Sequence, residues 1–151
     1  MLQNIYKLFL IKLYGYLPNY PKSYVIYKVF ERVRQFVYKK LFRSFGSNSY
    51  CRSNCYISGW KNIGIGNNCI IGPNAILNSL NAKICIGDNF LSGPELIIYT
   101  SEHGMELKEN MPFYKQDISS EDVVIGNNVI ISACSIVTSN IPTKKVKFLG
   151  A

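Results

Sequence analysis

The chain has 151 residues, 48% of them hydrophobic, and a formal net charge of +8. That is enough apolar material for one domain with a core and too little length for two, and it excludes a disordered chain. No apolar run approaches the roughly 20 residues that span a bilayer; the best, Leu8 to Ile11, is bracketed by Lys7 and Lys12. No signal peptide with a cleavage site is visible, so the cytoplasm is the expected compartment. The five cysteines (Cys51, Cys55, Cys69, Cys85, Cys134) include one pair, Cys51 and Cys55, at metal-ligand spacing. No second Cys/His pair accompanies it, so no metal is expected, and small buried thiols in a reducing compartment are the reading.

Charge and aromatics divide the chain in two near Phe45-Gly46. Residues 1–45 hold nine basic side chains against Glu31 alone, with twelve of the twenty aromatics, while the remainder sums to zero charge. Apolar residues at Leu2, Ile5, Tyr6, Phe9, Leu13 and Tyr16 predict a first helix over Leu2 to Leu17, broken by Pro18 and Pro21. A second is predicted from an N-cap at Ser23 to about Phe42, its stripe being Ile26, Val29, Phe30, Val33, Val37 and Leu41. Such a basic, aromatic pair suits peripheral contact with an anionic membrane surface. It also suits the capping that the open end of a solenoid needs, and the two roles are compatible. No recognised nucleic-acid motif accompanies the basic patch, so no nucleic-acid partner is expected.

Gly46 to Trp60, rich in Ser, Asn, Cys and Gly, reads as an irregular first coil leading into a repeat. From there Ile65-Gly66-Asn67-Asn68, Ile86-Gly87-Asp88-Asn89 and Ile125-Gly126-Asn127-Asn128 are variants of one phrase. Counting in sixes gives Ile65, Ile71, Leu77, then Ile86, Ser92, Ile98, then Ile125, Ile131, Val137. A hexapeptide period with one aliphatic per unit is the signature of a β-helix. Each hexad supplies a short strand and a turn, with Gly, Asn or Asp where the backbone bends tightly. Three hexads are expected to close a triangular coil of about 18 residues, stacking Ile65, Ile86 and Ile125 inward. Leu80-Asn81-Ala82 breaks the spacing as a small loop, and residues of about 100–122 interrupt it as a longer insertion, which in solenoids is often the binding face.

These phrases, IGNNCIIGPNAIL, IGDNFLSGPELIIYTSEHG, VVIGNNVI and SACSIVTSNIP, resemble the hexapeptide-repeat acyltransferases, in the sugar and polysaccharide O-acetyltransferase branch related to maltose and galactoside acetyltransferases. The resemblance covers roughly Ile57 to Pro142. It implies a mainly β fold, a left-handed parallel β-helix over 46–151 that is an exception to the right-handed crossover rule, behind a helical region over 1–45. It also implies acetyl-CoA as co-substrate, a sugar or polysaccharide-precursor acceptor, a role in polysaccharide biosynthesis, and a homotrimer with sites between subunits.

The resemblance places the catalytic histidine at His103, the chain's single histidine, in Tyr99-Thr100-Ser101-Glu102-His103-Gly104. Attack of a sugar hydroxyl on a thioester needs a base that titrates near neutrality, which imidazole supplies. The bland alternative is a surface loop histidine. Glu102 is a candidate to orient His103 or meet substrate; Asp117, Glu121 and Asp122 read as solvated loop charges. By resemblance Ala133 and Thr138 flank CoA, and Lys144 and Lys145 are candidates for its phosphates, or simply solubilising. Asn74, Asn78 and Asn81 are acceptor candidates, though asparagine also turns hexapeptide corners.

The chain departs from the family pattern after Val129. A Trp-Ile-Gly phrase and a second turn phrase, about 18 residues or one coil, are missing before Ser132-Ala133-Cys134-Ser135-Ile136-Val137-Thr138, and Cys134 stands where the family has Gly. The chain also stops where relatives continue with Pro-Ala-Lys. Removing a whole turn preserves the register, so the fold is expected to survive, with the last strand one step nearer His103. Two functions follow for test: an acetyl-CoA-dependent O-acetyltransferase, or a catalytically inactive β-helix serving as a structural or membrane-adjacent protein.

Overall fold

Two left-handed corners in every coil give this chain its shape. Asn48, Asn68, Asn89 and Asn128 have φ between 54° and 58°, and Asn54, Asn74, Glu95 and Cys134 have φ between 57° and 60°. That conformation costs most L-residues about 1–2 kcal/mol, and Asn tolerates it best after Gly. The last Asn of each Ile-Gly-Asn-Asn phrase is therefore the residue that turns the chain. The computed structural model describes residues 2–16, 24–104, 106, 111–143 and 146–147.

Strands leave these corners in a fixed order. The first coil holds β1 (Ser44–Phe45), β2 (Tyr50–Cys51) and β3 (Tyr56–Ser58); the second, β4 (Ile63–Ile65), β5 (Ile70–Ile71) and β6 (Ile76–Asn78). The third holds β7 (Ile84–Ile86), β8 (Leu91–Ser92) and β9 (Ile97–Tyr99), after which β10 (Ser101–His103) and β11 (Ile118–Ser120) form an excursion. The fourth coil holds β12 (Val123–Ile125), β13 (Ile130–Ile131) and β14 (Ile136–Val137), and β15 (Val146–Lys147) begins a fifth. Three parallel sheets result, in the orders β1-β4-β7-β12, β15-β13-β8-β5-β2 and β14-β9-β6-β3. This is the expected left-handed β-helix.

Register places like residues above like. Phe45, Ile65 and Ile86 pair in succession, then Ile86 with Ile125, and Ile125 bridges to Ile141. Ile57, Leu77, Ile98 and Val137 form the second inward ladder, and Cys51 with Ile71 and Ser92 with Ile131 the third. Behind each left-handed corner one more side chain points in: Cys69, Phe90 and Val129 at one, Ala75, Leu96 and Ser135 at the other, all buried. Each buried aliphatic contributes about 1.5–3 kcal/mol, so the stacked ladders are the main source of stability.

The corners are tied vertically by side chains. Asn48 Nδ2 donates to Asn68 Oδ1 (3.3 Å), Asn68 to Asn89 (3.3 Å) and Asn89 to Asn128 (2.9 Å). The preceding position forms a second ladder: Ser47 N–H donates to Asn67 Oδ1 (2.9 Å), Asn67 N–H to Asp88 (2.7 Å), Asp88 N–H to Asn127 (2.7 Å) and Asn127 N–H to Thr143 Oγ1 (3.2 Å). Glycine precedes Ser47, Asn67, Asp88 and Asn127 because the next coil passes so close: a Cβ at Gly66 would stand 2.7 Å from the Gly87 carbonyl carbon.

Three expectations are corrected. The segment from Gly46 to Trp60 is not irregular; β1 to β3 form a full coil in register, because Asn48 and Asn54 turn it as their successors turn theirs. Coils are longer than three hexads, with register partners 20 and 21 residues apart, because the third corner takes extra residues, a 3-10 turn at Trp60–Asn62 and the Ser79 to Lys83 loop. The helices, α1 (Leu2–Tyr16) and α2 (Tyr24–Leu41), bury only part of the stripes expected, Val37 and Leu41 of α2 and, partly, Leu13 of α1, and turn the rest outward. Leu10, Val37, Tyr38, Leu41 and Phe42 are buried, whereas Ile5, Tyr6, Phe9, Ile26 and Val29 face outward. The proposed N-cap at Ser23 lies outside the described residues.

What the helices cover is the open end of the first coil. Tyr38 and Phe42 join the β-helix core, and Tyr14, Phe45 and Trp60 pack against it, with ring centroids 5.0–6.4 Å apart. The Tyr14 and Tyr38 hydroxyls donate to the Cys55 and Cys51 carbonyls, each at 3.3 Å, satisfying acceptors that the terminal coil would otherwise leave bare. Beneath this lid, burial pushes the Cys55 thiol up from 9.0 to about 11 and the Cys51 thiol well above its ordinary value. The folded state keeps a proton that the unfolded chain releases first. Stability should therefore be full below about pH 9 and fall progressively between pH 9 and 11, which denaturant melts across that range will read. In Cys55→Ala the decline should be shallower.

Candidate active site

His103 sits on the one excursion that leaves the β-helix among the described residues. After β9 the chain turns outward at Thr100, whose N–H and hydroxyl both donate to the Asn78 carbonyl (3.2 and 3.3 Å). β10 then runs antiparallel to β11, pairing Ser101 with Ser120, Glu102 with Ser119 and His103 with Ile118. The base of this hairpin is clamped to the coil. Ser120 Oγ donates to Ser101 Oγ (3.1 Å), Glu121 N–H to the Thr100 carbonyl (3.0 Å), and Lys83 N–H to Asp122 Oδ1 (2.7 Å). Asp122, exposed as a solvated loop charge would be, also serves as a structural acceptor.

Two cavities flank the hairpin. The inner one, about 260 Å³, is lined by Tyr99, Thr100, Ser101, Glu102, Ser119, Glu121 and Thr138. The outer one, about 430 Å³, is lined by Glu102, His103, Gly104, Glu106, Gln116, Asp117 and Ser119. The imidazole is exposed and, among the described residues, makes no hydrogen bond. Among the described residues Glu102, Glu106 and Asp117 line its cavity with carboxylate acceptors, which suit the hydroxyls of a polyhydroxylated ligand.

The sequence-predicted residues divide accordingly. His103 and Glu102 share the outer cavity, and Thr138, directly after β14, reaches the inner one with Glu102. β14 pairs with β9 with no coil between them, which brings Thr138 to the hairpin. Asn81 touches the hairpin base, its Nδ2 3.5 Å from Ser101 Oγ. Asn78, in β6, accepts from Ser58 Oγ at 3.0 Å and has the structural role of anchoring Thr100. Asn74 is a left-handed corner with its N–H on the Ser53 carbonyl (2.9 Å), lining neither cavity. Ala133 lies at the corner between β13 and β14, also outside both cavities and packed on Gly93. Beside it Cys134 Sγ is 3.3 Å from Glu95 Oε2, a hydrogen bond that raises the thiol's pKa. Lys144 and Lys145 lie outside the described residues.

Gln116 is the residue that sequence reasoning missed. It is only 5% exposed in an otherwise solvated loop. Its Nε2 donates to the Glu106 carbonyl (2.7 Å), and Gly104 N–H donates to the Asp117 carbonyl (3.1 Å), so the two limbs beyond His103 are tied together. Gly104 packs directly above it, and a Cβ there would stand 2.7 Å from Gln116 Oε1, so a larger residue would push the amide aside. Nothing about a glutamine among Lys, Tyr and Asp marks it in the sequence. Gln116→Ala should raise hydrogen exchange at the Gly104 amide about tenfold, the worth of one hydrogen bond, and leave the Ile65 and Ile86 amides unchanged. An unaltered Gly104 rate would exclude the clamp.

No family model matches the chain. Galactoside O-acetyltransferase of Escherichia coli (strain K12) is 30% identical over 128 residues, spanning 75% of this chain and 63% of that protein. The chain thus matches a little less than two thirds of that relative's length. In fold it is similar to a maltose O-acetyltransferase from Clostridium difficile 630, with TM-score 0.62 and 24% identity over 94% of this chain and 80% of that one. It is also similar to a galactoside acetyltransferase in complex with coenzyme A, with TM-score 0.65 and 22% identity over 93% and 74%. By its own repeat and register the chain is a hexapeptide-repeat left-handed β-helix, similar in sequence to a galactoside O-acetyltransferase and in fold to the maltose and galactoside acetyltransferases.

Proposed function

We propose that the protein transfers an acetyl group from acetyl-CoA to a hydroxyl of a sugar or surface-polysaccharide precursor, with His103 as general base. The observation that carries this reading is the position of the single histidine, on a clamped hairpin beside the corner that holds Thr138, in a cavity lined by carboxylates and hydroxyls. His103 takes the proton of the acceptor hydroxyl as its oxygen attacks the thioester carbonyl. The carbon–sulfur bond then breaks, and the proton passes from imidazolium to the CoA thiolate, giving an acetyl ester and free CoA. Glu102, Asn81 and the outer cavity's carboxylates receive sugar hydroxyls; Thr138 and Ala133 flank the thioester arm, and Lys144 meets the nucleotide phosphates. The similarity to a galactoside O-acetyltransferase supports the acceptor class.

Incubation with acetyl-CoA and a panel of sugars should release thiol, and His103→Ala should slow it by at least about 100-fold. Equal rates would remove the base assignment. A second reading, an inactive β-helix, draws on the direct stacking of β14 on β9, with no further coil between them. It requires that calorimetry find no CoA binding to the folded chain.

Assembly as a homotrimer is part of the proposal. The outward sides of two sheets carry apolar ladders, Tyr56, Ile76, Ile97 and Ile136 on one and Tyr50, Ile70, Leu91 and Ile130 on the other. Several are open to solvent in the single chain, Tyr56 at 64% and Ile136 at 59%, and a neighbouring subunit would cover them. Sedimentation should find a trimer that Ile136→Lys weakens at least tenfold; a monomeric parent chain would refute it. We place the protein at the cytoplasmic face of the membrane, where Ile5, Phe9, Ile26 and Val29 would enter an anionic interface flanked by lysines. No helix among the described residues is long and apolar enough to cross a membrane.

A further inference from the structure

Where α1 lies beside the third corner of the first coil, a cavity of about 380 Å³ opens between them, lined by Lys7, Ile11, Leu41, Trp60, Lys61 and Asn62. Its two sides are fixed independently. On the helix side Lys7 and Ile11 stand at i and i+4, one turn apart on α1. On the other side Gly59 enters the 3-10 turn at Trp60–Asn62 with φ 71°, a left-handed conformation that glycine takes readily. Asn62 Nδ2 donates to the Ser79 carbonyl (2.7 Å) and ties that turn to the coil above. The Trp60 ring packs edge-on against Tyr14 and Phe42, with centroids 5.8 and 5.0 Å apart. Lys61, in the middle of the turn, is therefore presented to Lys7 from a fixed base.

The floor of this cavity is apolar and its mouth is cationic. Ile11, the buried Leu41 and the half-buried Trp60 supply the floor. Lys7 and Lys61 meet at the mouth: contact with the Lys61 amine first, then desolvation and the Lys61 charge, hold the Lys7 ammonium below its ordinary pKa of 10.5. Among the described residues neither lysine has a carboxylate partner, and no carboxylate lines the cavity. Two ammonium groups brought together repel each other, and one oxyanion between them removes that cost. A phosphate monoester, with about −1.5 to −2 charge at neutral pH, matches the pair better than a singly charged carboxylate or phosphodiester. Ile5 and Phe9, exposed and each two residues from Lys7 on the same helix, bring a lipid headgroup beside them within its reach. The volume is at the scale of a small-ligand site.

We propose that this cavity binds the phosphate monoester headgroup of a membrane lipid, the phosphate between Lys7 and Lys61 and the glycerol and first methylenes against Ile11 and Trp60. Phosphatidic acid is the simplest lipid of that chemistry. The assignment rests on the membrane placement given above and adds to it the lipid that the surface selects; it does not involve the acetyl-transfer reading.

Co-sedimentation with phosphatidylcholine vesicles tests it, one set carrying about 20% phosphatidic acid and the other about 40% phosphatidylglycerol, so that surface charge is matched. The full chain should bind the phosphatidic acid vesicles about tenfold more tightly. Lys7→Gln and Lys61→Gln should each remove that preference, whereas Lys12→Gln, exposed elsewhere on α1, should weaken both sets alike and keep it. Equal affinity of the full chain for the matched vesicles, or a preference kept in both Lys7→Gln and Lys61→Gln, would overturn the site and leave the membrane placement standing. Calorimetry with dihexanoylphosphatidic acid, below its micelle concentration, separates the two readings. If no vesicle binds, the membrane placement falls; the cavity then stands only if this soluble lipid binds, and binds about tenfold more weakly in both lysine variants. Glycerol 3-phosphate binding as tightly as dihexanoylphosphatidic acid would overturn the lipid in favour of a free phosphate.

Discussion

The vertical ladder at the Ile-Gly-Asn/Asp-Asn corner is the constraint on which the rest of this structure depends. A short strand of two or three residues offers few backbone hydrogen bonds, and a one-residue slip would turn every inward aliphatic outward. The side chains of Asn67, Asp88 and Asn127 each take an N–H from the coil before, and Asn48 through Asn128 join side chain to side chain beside them. Every coil is thereby held in register with its neighbours at the same point of its circuit. With the register held, Ile65, Ile86 and Ile125 stack, and Phe90 and Val129 fill the corners behind them.

Regular stacking also determines where irregularity is permitted. Two corners of each coil are tight left-handed turns with the next coil's backbone almost in contact, so no insertion fits there. The third corner has already been lengthened by a 3-10 turn in the first coil and by the Ser79 to Lys83 loop in the second. In the third coil that corner opens into the hairpin bearing His103. The coil below is undisturbed because Asp122 and Glu121 return the chain to Lys83 and Thr100 before β12 resumes. The histidine proposed as the base is thus carried on a projection whose foot is tied to the coil by hydrogen bonds.

At the other end, the helices show how a solenoid is closed. Tyr14 and Tyr38 bring rings to the core and hydroxyls to the Cys55 and Cys51 carbonyls, so one pair of side chains meets both the apolar and the polar demands of the exposed coil. The same lid leaves a cleft between α1 and the Trp60–Asn62 turn, with Lys7 and Lys61 brought together at its mouth.

The β-helix was legible in the sequence because its period is local. An aliphatic every sixth residue and an Asn or Gly at each corner are requirements of one coil acting on its immediate neighbours, and they recur whatever the rest of the chain does. The sequence singles out His103 because the chain has one histidine, lying where the repeat stops, and the structure puts it on the hairpin that leaves the coil there. Tertiary structure alone decided the remainder. Both the Ile5–Phe9 and the Leu10–Tyr14 faces of α1 satisfy a helical period, and only the place where the helix meets Trp60 and Tyr38 selects the second. The first coil looked irregular because Cys, Ser and Tyr take positions held elsewhere by Ile and Leu, and its register emerges only against the coil above. Gln116 became a buried clamp because the loop folds back on Glu106. Asn74 stands at a left-handed corner and Asn78 between Ser58 and Thr100, placements that only the stacking of the coils gives, since the same amide can receive a sugar hydroxyl or serve a neighbouring strand.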